Sequence, residues 1–115
     1  MINRMIIAIL KIFPCKEKHL DTLDVLLSVK GPVLAEPGCL CCCIYDEYGE
    51  EPGILYIEQW RSMADLERHL RSSSYGRILE AMELSTRLPE LNFYETAKTW
   101  NFELVERMRG TDHTL

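Results

Sequence analysis

The sequence predicts an α+β domain of the ferredoxin-like, split β-α-β-β-α-β kind, an antiparallel sheet with its helices on one face. Three observations predict it. The apolar runs Met5 to Phe13 and Ile54 to Trp60 are strand-length and show no helical period. The segments after each of them carry leucines at helical spacing. Clusters of Gly, Pro and Ser separate the pieces into six elements in that order.

Met5 to Phe13 has Lys11 as its only charge, so both of its faces are expected to be buried. Pro14 stops this strand. From Lys16 to about Val29, Leu20, Leu23, Leu26 and Leu27 share one helical face, with Lys16, Glu17, Asp21 and Asp24 elsewhere. Gly31-Pro32 is expected to break the helix, and Glu36-Pro37-Gly38 to form a turn. Cys39 to Tyr45 reads as the second strand, Glu47 to Gly53 as a hairpin loop, and Ile54 to Trp60 as the third strand. Ser62 is an N-cap with Asp65 three residues on, opening a helix that carries Met63, Leu66 and Leu70. Ser72-Ser73-Ser74 interrupts it. A second helical piece, about Tyr75 to Leu84, places Ile78, Leu79 and Met82 on one face. Leu91 to Trp100 is the fourth strand, and Phe102 to Val105 extends it or forms a separate edge.

The 115 residues fit one domain, spanning 1–115. Thirteen basic and 18 acidic residues give a net charge of -5, without any basic run, which argues against a nucleic-acid partner. No apolar stretch has the roughly 18 residues of a membrane helix, so no membrane association is expected. Met1 to Arg4 followed by the run Met5 to Leu10 is short for a secretory leader and no small-residue cleavage site follows, so a cytoplasmic location is expected. Helices can cover only one face of such a sheet. The two-faced apolar strands therefore need a second cover, and a second copy of the chain is the simplest.

Five cysteines, Cys15, Cys39, Cys41, Cys42 and Cys43, make an odd set that does not read as a disulfide framework. On a regular strand Cys39, Cys41 and Cys43 face one way and Cys42 the other. A flat row of this kind cannot wrap a metal by itself, so the residues are expected to be packed, reduced and metal-free. A symmetric pair of chains would be the one way to bring two rows together.

Glu36-Pro37-Gly38-Cys39-Leu40, then a strand, a hairpin and Tyr56-Ile57-Glu58-Gln59-Trp60-Arg61-Ser62, resembles the antibiotic biosynthesis monooxygenase family. Leu66-Glu67-Arg68-His69-Leu70-Arg71-Ser72 and then Tyr75 continue the likeness. The most telling part is Glu58-Gln59-Trp60 followed nine residues later by His69-Leu70-Arg71-Ser72. The resemblance covers about Met5 to Thr99. It implies a dimeric α+β barrel with a pocket in each subunit between sheet and helices. Members include cofactor-free oxygenases of polycyclic phenols, haem-degrading enzymes and proteins that handle small signalling molecules, so it speaks more to fold than to chemistry. The haem-degrading branch pairs such a Trp with an Asn on the first strand and a His on the second helical region. Met5 to Phe13 holds no Asn and Tyr75 to Met82 no His, which disfavours that branch.

Strand alternation puts Tyr56, Glu58 and Trp60 on one face. They read as a pocket wall, or else as a core aromatic and a carboxylate that anchors a neighbouring element. His69 borders the buried face of the following helix. It reads as a candidate catalytic base for a phenol, or as a tie from helix to sheet through Glu58. His19 is expected in solvent and His113 in a tail. Tyr45, Tyr75 and Tyr94 complete the aromatic inventory. The leading expectation is a cofactor-independent monooxygenase acting on a small aromatic, phenol- or quinol-like substrate, with His69 as base and Trp60, Tyr56, Glu58, Tyr94 and Tyr75 holding the ring. The alternative is a non-catalytic dimeric protein that binds a small ligand on the same fold.

Overall fold

The computed structural model describes residues 4–110. The expectations for Met1–Asn3 and for His113 lie outside them. Four strands, β1 (Ile6–Ile12), β2 (Cys39–Asp46), β3 (Ile54–Trp60) and β4 (Glu90–Glu95), form one antiparallel sheet in the order β2-β3-β1-β4. Four helices, α1 (His19–Leu34), α2 (Met63–Leu70), α3 (Ser73–Met82) and α4 (Phe102–Arg109), complete the described residues, with a 3-10 turn at Lys16–Lys18 ahead of α1. This is the α+β, ferredoxin-like arrangement that the sequence predicts. Among the described residues no helix is long and apolar enough to cross a membrane.

β1 lies at the centre, paired with β3 on one side and β4 on the other. Its side chains alternate strictly: Ile6, Ala8, Leu10 and Ile12 are buried, while Ile7, Ile9 and Lys11 are only half-buried. The expectation that both faces are buried thus holds for one face within a single chain. Ile54, Tyr56, Glu58 and Trp60 of β3 join the buried side, where Leu26, Val29, Val33, Leu66, Ile78 and Ala81 of the helices close the core.

Several expected boundaries move, each for a tertiary reason. α1 runs through Gly31 and Pro32 to Leu34. Pro32 falls in the last turn, and the burial of Val29 and Val33 holds the chain helical past it. The buried stripe is Thr22, Leu26, Val29 and Val33, so Leu20 and Leu27, expected inward, point to solvent. Thr22 satisfies its hydroxyl on the Lys18 carbonyl at 2.8 Å, which permits a polar residue in that stripe. α3 likewise buries Ile78 and Ala81 and leaves Leu79 exposed. β4 ends at Glu95, and the expected extension at Phe102–Val105 is helical instead. Asn101 caps α4 by accepting the Glu103 backbone N–H at 3.0 Å. Ser62 and Ser72 cap α2 and α3 in the same way, through the backbone N–H groups of Asp65 and Tyr75.

β2 contains a bulge between Cys39 and Cys41. The extra residue, Leu40, shifts the alternation by one. Cys39 therefore packs against the core on the same side as buried Cys42, and only Cys41 and Cys43 face the other way. This corrects the expected trio of Cys39, Cys41 and Cys43 on one face.

Candidate functional site

The helix-covered face of β3 carries three polar-tipped side chains in a row, and they meet at one carboxyl group. Tyr56 donates its hydroxyl to Glu58 Oε2 at 2.6 Å, and Trp60 donates its indole N–H to Glu58 Oε1 at 2.9 Å. Residues two apart on a strand share a face, so the spacing Tyr-x-Glu-x-Trp builds this arrangement locally. Cys42, opposite Glu58 on β2, adds an S–H contact to the Tyr56 oxygen at 3.3 Å. Burial pushes the Cys42 thiol up to about 11, and burial with the neighbouring Glu58 raises the Tyr56 hydroxyl above its usual range.

His69 comes from α2 and is fully buried. Its ring stacks on Trp60 at 4.5 Å between centroids and meets the edge of Tyr75 at 5.5 Å. Nε2 lies 2.9 Å from Glu58 Oε2, a charge contact whose direction is off the line of a good hydrogen bond. Nδ1 faces both oxygens of Glu36 at 3.0 and 3.1 Å. Burial works against a charge on the ring, but the carboxyl groups of Glu58 and Glu36 outweigh it and raise His69 above its ordinary value.

The Glu36-Pro37-Gly38 turn delivers Glu36 to this position. Gly38 has φ +82°, and a Cβ there would collide with the Asp65 side chain, so only glycine fits. Asp65 is itself held by Ser62 Oγ at 2.9 Å and by Arg68 at 3.0 Å, and the Ser62 hydrogen bond and the Arg68 and Arg61 charges keep its carboxyl below the usual range. Arg68 also reaches back to the Pro37 carbonyl at 3.4 Å. Turn and helix start are thus locked together beneath His69.

Beside this network lies a narrow crevice of about 10 Å³ between the sheet and α3. Its walls are Ala8, Leu10, Ile78, Met82, Leu91 and Phe93, and Tyr56, Glu58 and Tyr75 are the polar-tipped residues that line it. A larger, open recess of about 510 Å³ lies near Phe13, Lys16, His19, Glu51 and Arg87. There Arg87 covers the Phe13 ring at 3.7 Å and pairs with Glu51 at 3.5 Å. His19, expected in solvent, holds Asp46 at 2.9 Å. None of the buried titratable groups converge on that recess, so the crevice is the candidate site.

The structure thus brings together Tyr56, Glu58, Trp60, His69 and Tyr75. It sets Tyr94 apart: in register with Ile7, it lies on the opposite face of the sheet and is 50% exposed. Trp60 is fully buried and His69 stands behind Glu58, so neither forms the crevice wall. Sequence reasoning missed Glu36 and Cys42. Glu36 looks like an ordinary turn residue, and its only signal was a carboxyl group directly before Pro-Gly. Cys42 could be found only by pairing the strands.

The antibiotic biosynthesis monooxygenase family model matches residues 5–81. An uncharacterized protein of Synechocystis is 29% identical over 91 residues, covering 78% of this chain, which in turn spans 60% of that protein's length. Among solved structures, a conserved protein of Methanosarcina mazei aligns with a TM-score of 0.75 at 23% identity, covering 82% of this chain and 94% of that one. Rv0793 of Mycobacterium tuberculosis aligns with a TM-score of 0.75 at 21% identity, covering 84% and 99%. At these identities the structural matches speak for the fold.

Proposed function

Because the chain belongs to the antibiotic biosynthesis monooxygenase family, we propose that it binds a small phenol- or quinol-like molecule in the crevice against α3. We propose further that it oxygenates this molecule with molecular oxygen and without a bound cofactor. The observation that carries the reading is the crevice lining, apolar except at Glu58, Tyr56 and Tyr75. An aromatic ring bearing one hydroxyl matches that pattern. The crevice must open to admit a ring. Met82 and Phe93 at its rim are partly exposed, and an unbranched Met is among the easiest side chains to displace.

In this reading Glu58 meets the ligand hydroxyl, takes its proton and passes it to His69, whose imidazolium faces the Glu36 carboxyl group. His69 then serves as base through Glu58, without touching the ring. Trp60 fixes the carboxyl group and Tyr75 bounds the ring. The electron-rich phenolate supplies the electrons for oxygen. One oxygen atom ends in the product and the other in water, and the site needs only to orient the ring and exclude solvent. Tyr94 has no part within one chain. A second copy would cover the open face at Ile7, Ile9, Leu55 and Ile57, completing a homodimer.

One observation favours a second reading, a non-catalytic small-ligand binder. Both oxygens of Glu58 already accept hydrogen bonds, from Tyr56 and Trp60, so the carboxyl group is engaged before any ligand arrives. Oxygen uptake measured with a panel of quinols separates the two. Oxygen consumed in step with quinol, and abolished in Glu58→Gln, supports the oxygenase. Saturable quenching of tryptophan fluorescence without oxygen uptake supports the binder. Neither signal with any small aromatic would dismiss both.

A further inference from the structure

The bulge in β2 leaves one pair of cysteines that the site above does not use. Cys41 and Cys43 project from the same face of the sheet, away from the helices, with their sulfurs 3.3 Å apart. Both are partly accessible. Their strand is the outermost of the sheet, so the pair sits at the margin of the open face, beside and not among the apolar residues of β1 and β3.

The geometry points to a dithiol site, at which a hydroperoxide oxidises Cys43 and Cys41 resolves it into a disulfide within the strand. Residues two apart on a strand have Cα atoms about 6.6–6.8 Å apart, the upper limit of what a disulfide bridges. Two features supply the small contraction required. The bulge immediately before Cys41 already bends the strand, and an edge strand is hydrogen-bonded on one side only. The roles follow from the surroundings. Either sulfur can donate in their 3.3 Å contact; with Cys41 as the donor, that contact first, and then Tyr45 and the Lys30 charge, hold Cys43 below the ordinary thiol range, while the same contact raises Cys41 above it. Cys43 is therefore the thiolate that reacts first.

The Cys43 thiolate attacks the outer oxygen of the hydroperoxide. The O–O bond breaks, an alkoxide leaves and takes up a proton, and Cys43 becomes a sulfenic acid. The Cys41 sulfur then attacks the Cys43 sulfur. Its thiol proton leaves with the departing hydroxide as water, and the S–S bond forms. Two thiols lose two electrons in all, and the hydroperoxide gains them as alcohol and water. A small thiol reverses the change by exchange. Cys39 and Cys42 are excluded from the pair because they pack on the other side of the sheet.

The test uses the native, reduced protein and one equivalent of cumene hydroperoxide, followed by intact mass and peptide mapping. The expected product is lighter by about 2 Da, with Cys41 and Cys43 joined in one peptide, and is restored by glutathione. In Cys41→Ser the reaction should stop at a sulfenic acid that dimedone traps on Cys43. In Cys43→Ser no disulfide can form within the strand, and the rate should fall at least about tenfold because the thiolate that reacts first is gone. Circular dichroism of both variants, with Cys→Ala replacements if serine disturbs the edge, shows that the fold is kept. A native protein whose Cys41 and Cys43 stay reduced, or react equally fast in Cys43→Ser, overturns the proposal, as does a disulfide that joins two chains.

Discussion

The two faces of the sheet are built from the same strands by strict alternation, yet they solve different problems. On the covered face, Ile6, Leu10, Ile12, Ile54 and Trp60 are essentially inaccessible. The polar groups there, Glu58, His69 and the Tyr56 hydroxyl, engage one another and Glu36. On the open face the row Cys41, Gln59, Ile7 and Tyr94 and the row Cys43, Ile57, Ile9 and Asn92 run side by side across the four strands. α1, α2 and α3 pack on the other side, and here polar and apolar side chains mix. A buried carboxyl group must be given partners, whereas a half-exposed Asn or Gln has water. Interdependence is the mark of the covered face, and independence that of the open one.

The sharpest way to break this contrast is Glu58→Ala. It removes one carboxyl group, takes the acceptor from a phenol and an indole N–H, and leaves the imidazole with Glu36 as its one carboxyl neighbour. Stripping one partner from a buried charged set costs about 3–5 kcal/mol, and urea denaturation should show a loss of that size. A loss below about 1 kcal/mol would mean that water replaces the carboxyl and that the site is wetter than the packing implies.

Next in size is the pH response of His69. Its folded value lies above the ordinary histidine value of about 6.5 because Glu58 and Glu36 outweigh burial. The stabilisation is therefore fully present below about 6.5 and fades as pH rises through the folded value. Glu36→Gln removes one of the two carboxyl groups and should move the titration of His69 downward, flattening the fall in stability as pH rises past about 6.5. NMR titration of the His69 ring carbons reads the shift directly. A wild-type ring that titrates below 6.5 would falsify the charge balance described.

The smallest effects belong to the open face. Tyr94→Phe should change stability by less than about 0.5 kcal/mol, as for most exposed positions, and leave ligand binding untouched. Ile57→Lys should likewise leave the fold of one chain intact. If a second copy covers this face, light scattering will show that variant at the mass of one chain and the unchanged protein at twice 13.4 kDa. Equal masses for the two would remove the pairing proposal.

The sequence by itself determined the element order from β1 to β4, because strand runs, caps and breakers are local, but it read the start of α4 as strand. It also placed Tyr56, Glu58 and Trp60 on one face, because strand alternation is a property of the backbone. Ser62 with Asp65 announced the start of α2 for the same reason. Tertiary structure decided the rest. Pro32 could stay helical because Val33 is buried, a matter of what α1 lies against. Leu20 and Leu27 turned outward because the phase of α1 is set by the sheet beneath it, and four leucines in one stretch cannot tell which face that will be. Leu40 bulged out of β2 because pairing with β3 left it without a partner, and this alone regrouped the cysteines. Glu36 reached His69 across 33 positions of the chain. A contact of that range depends on how a turn and a helix pack over one sheet, and no local pattern encodes it.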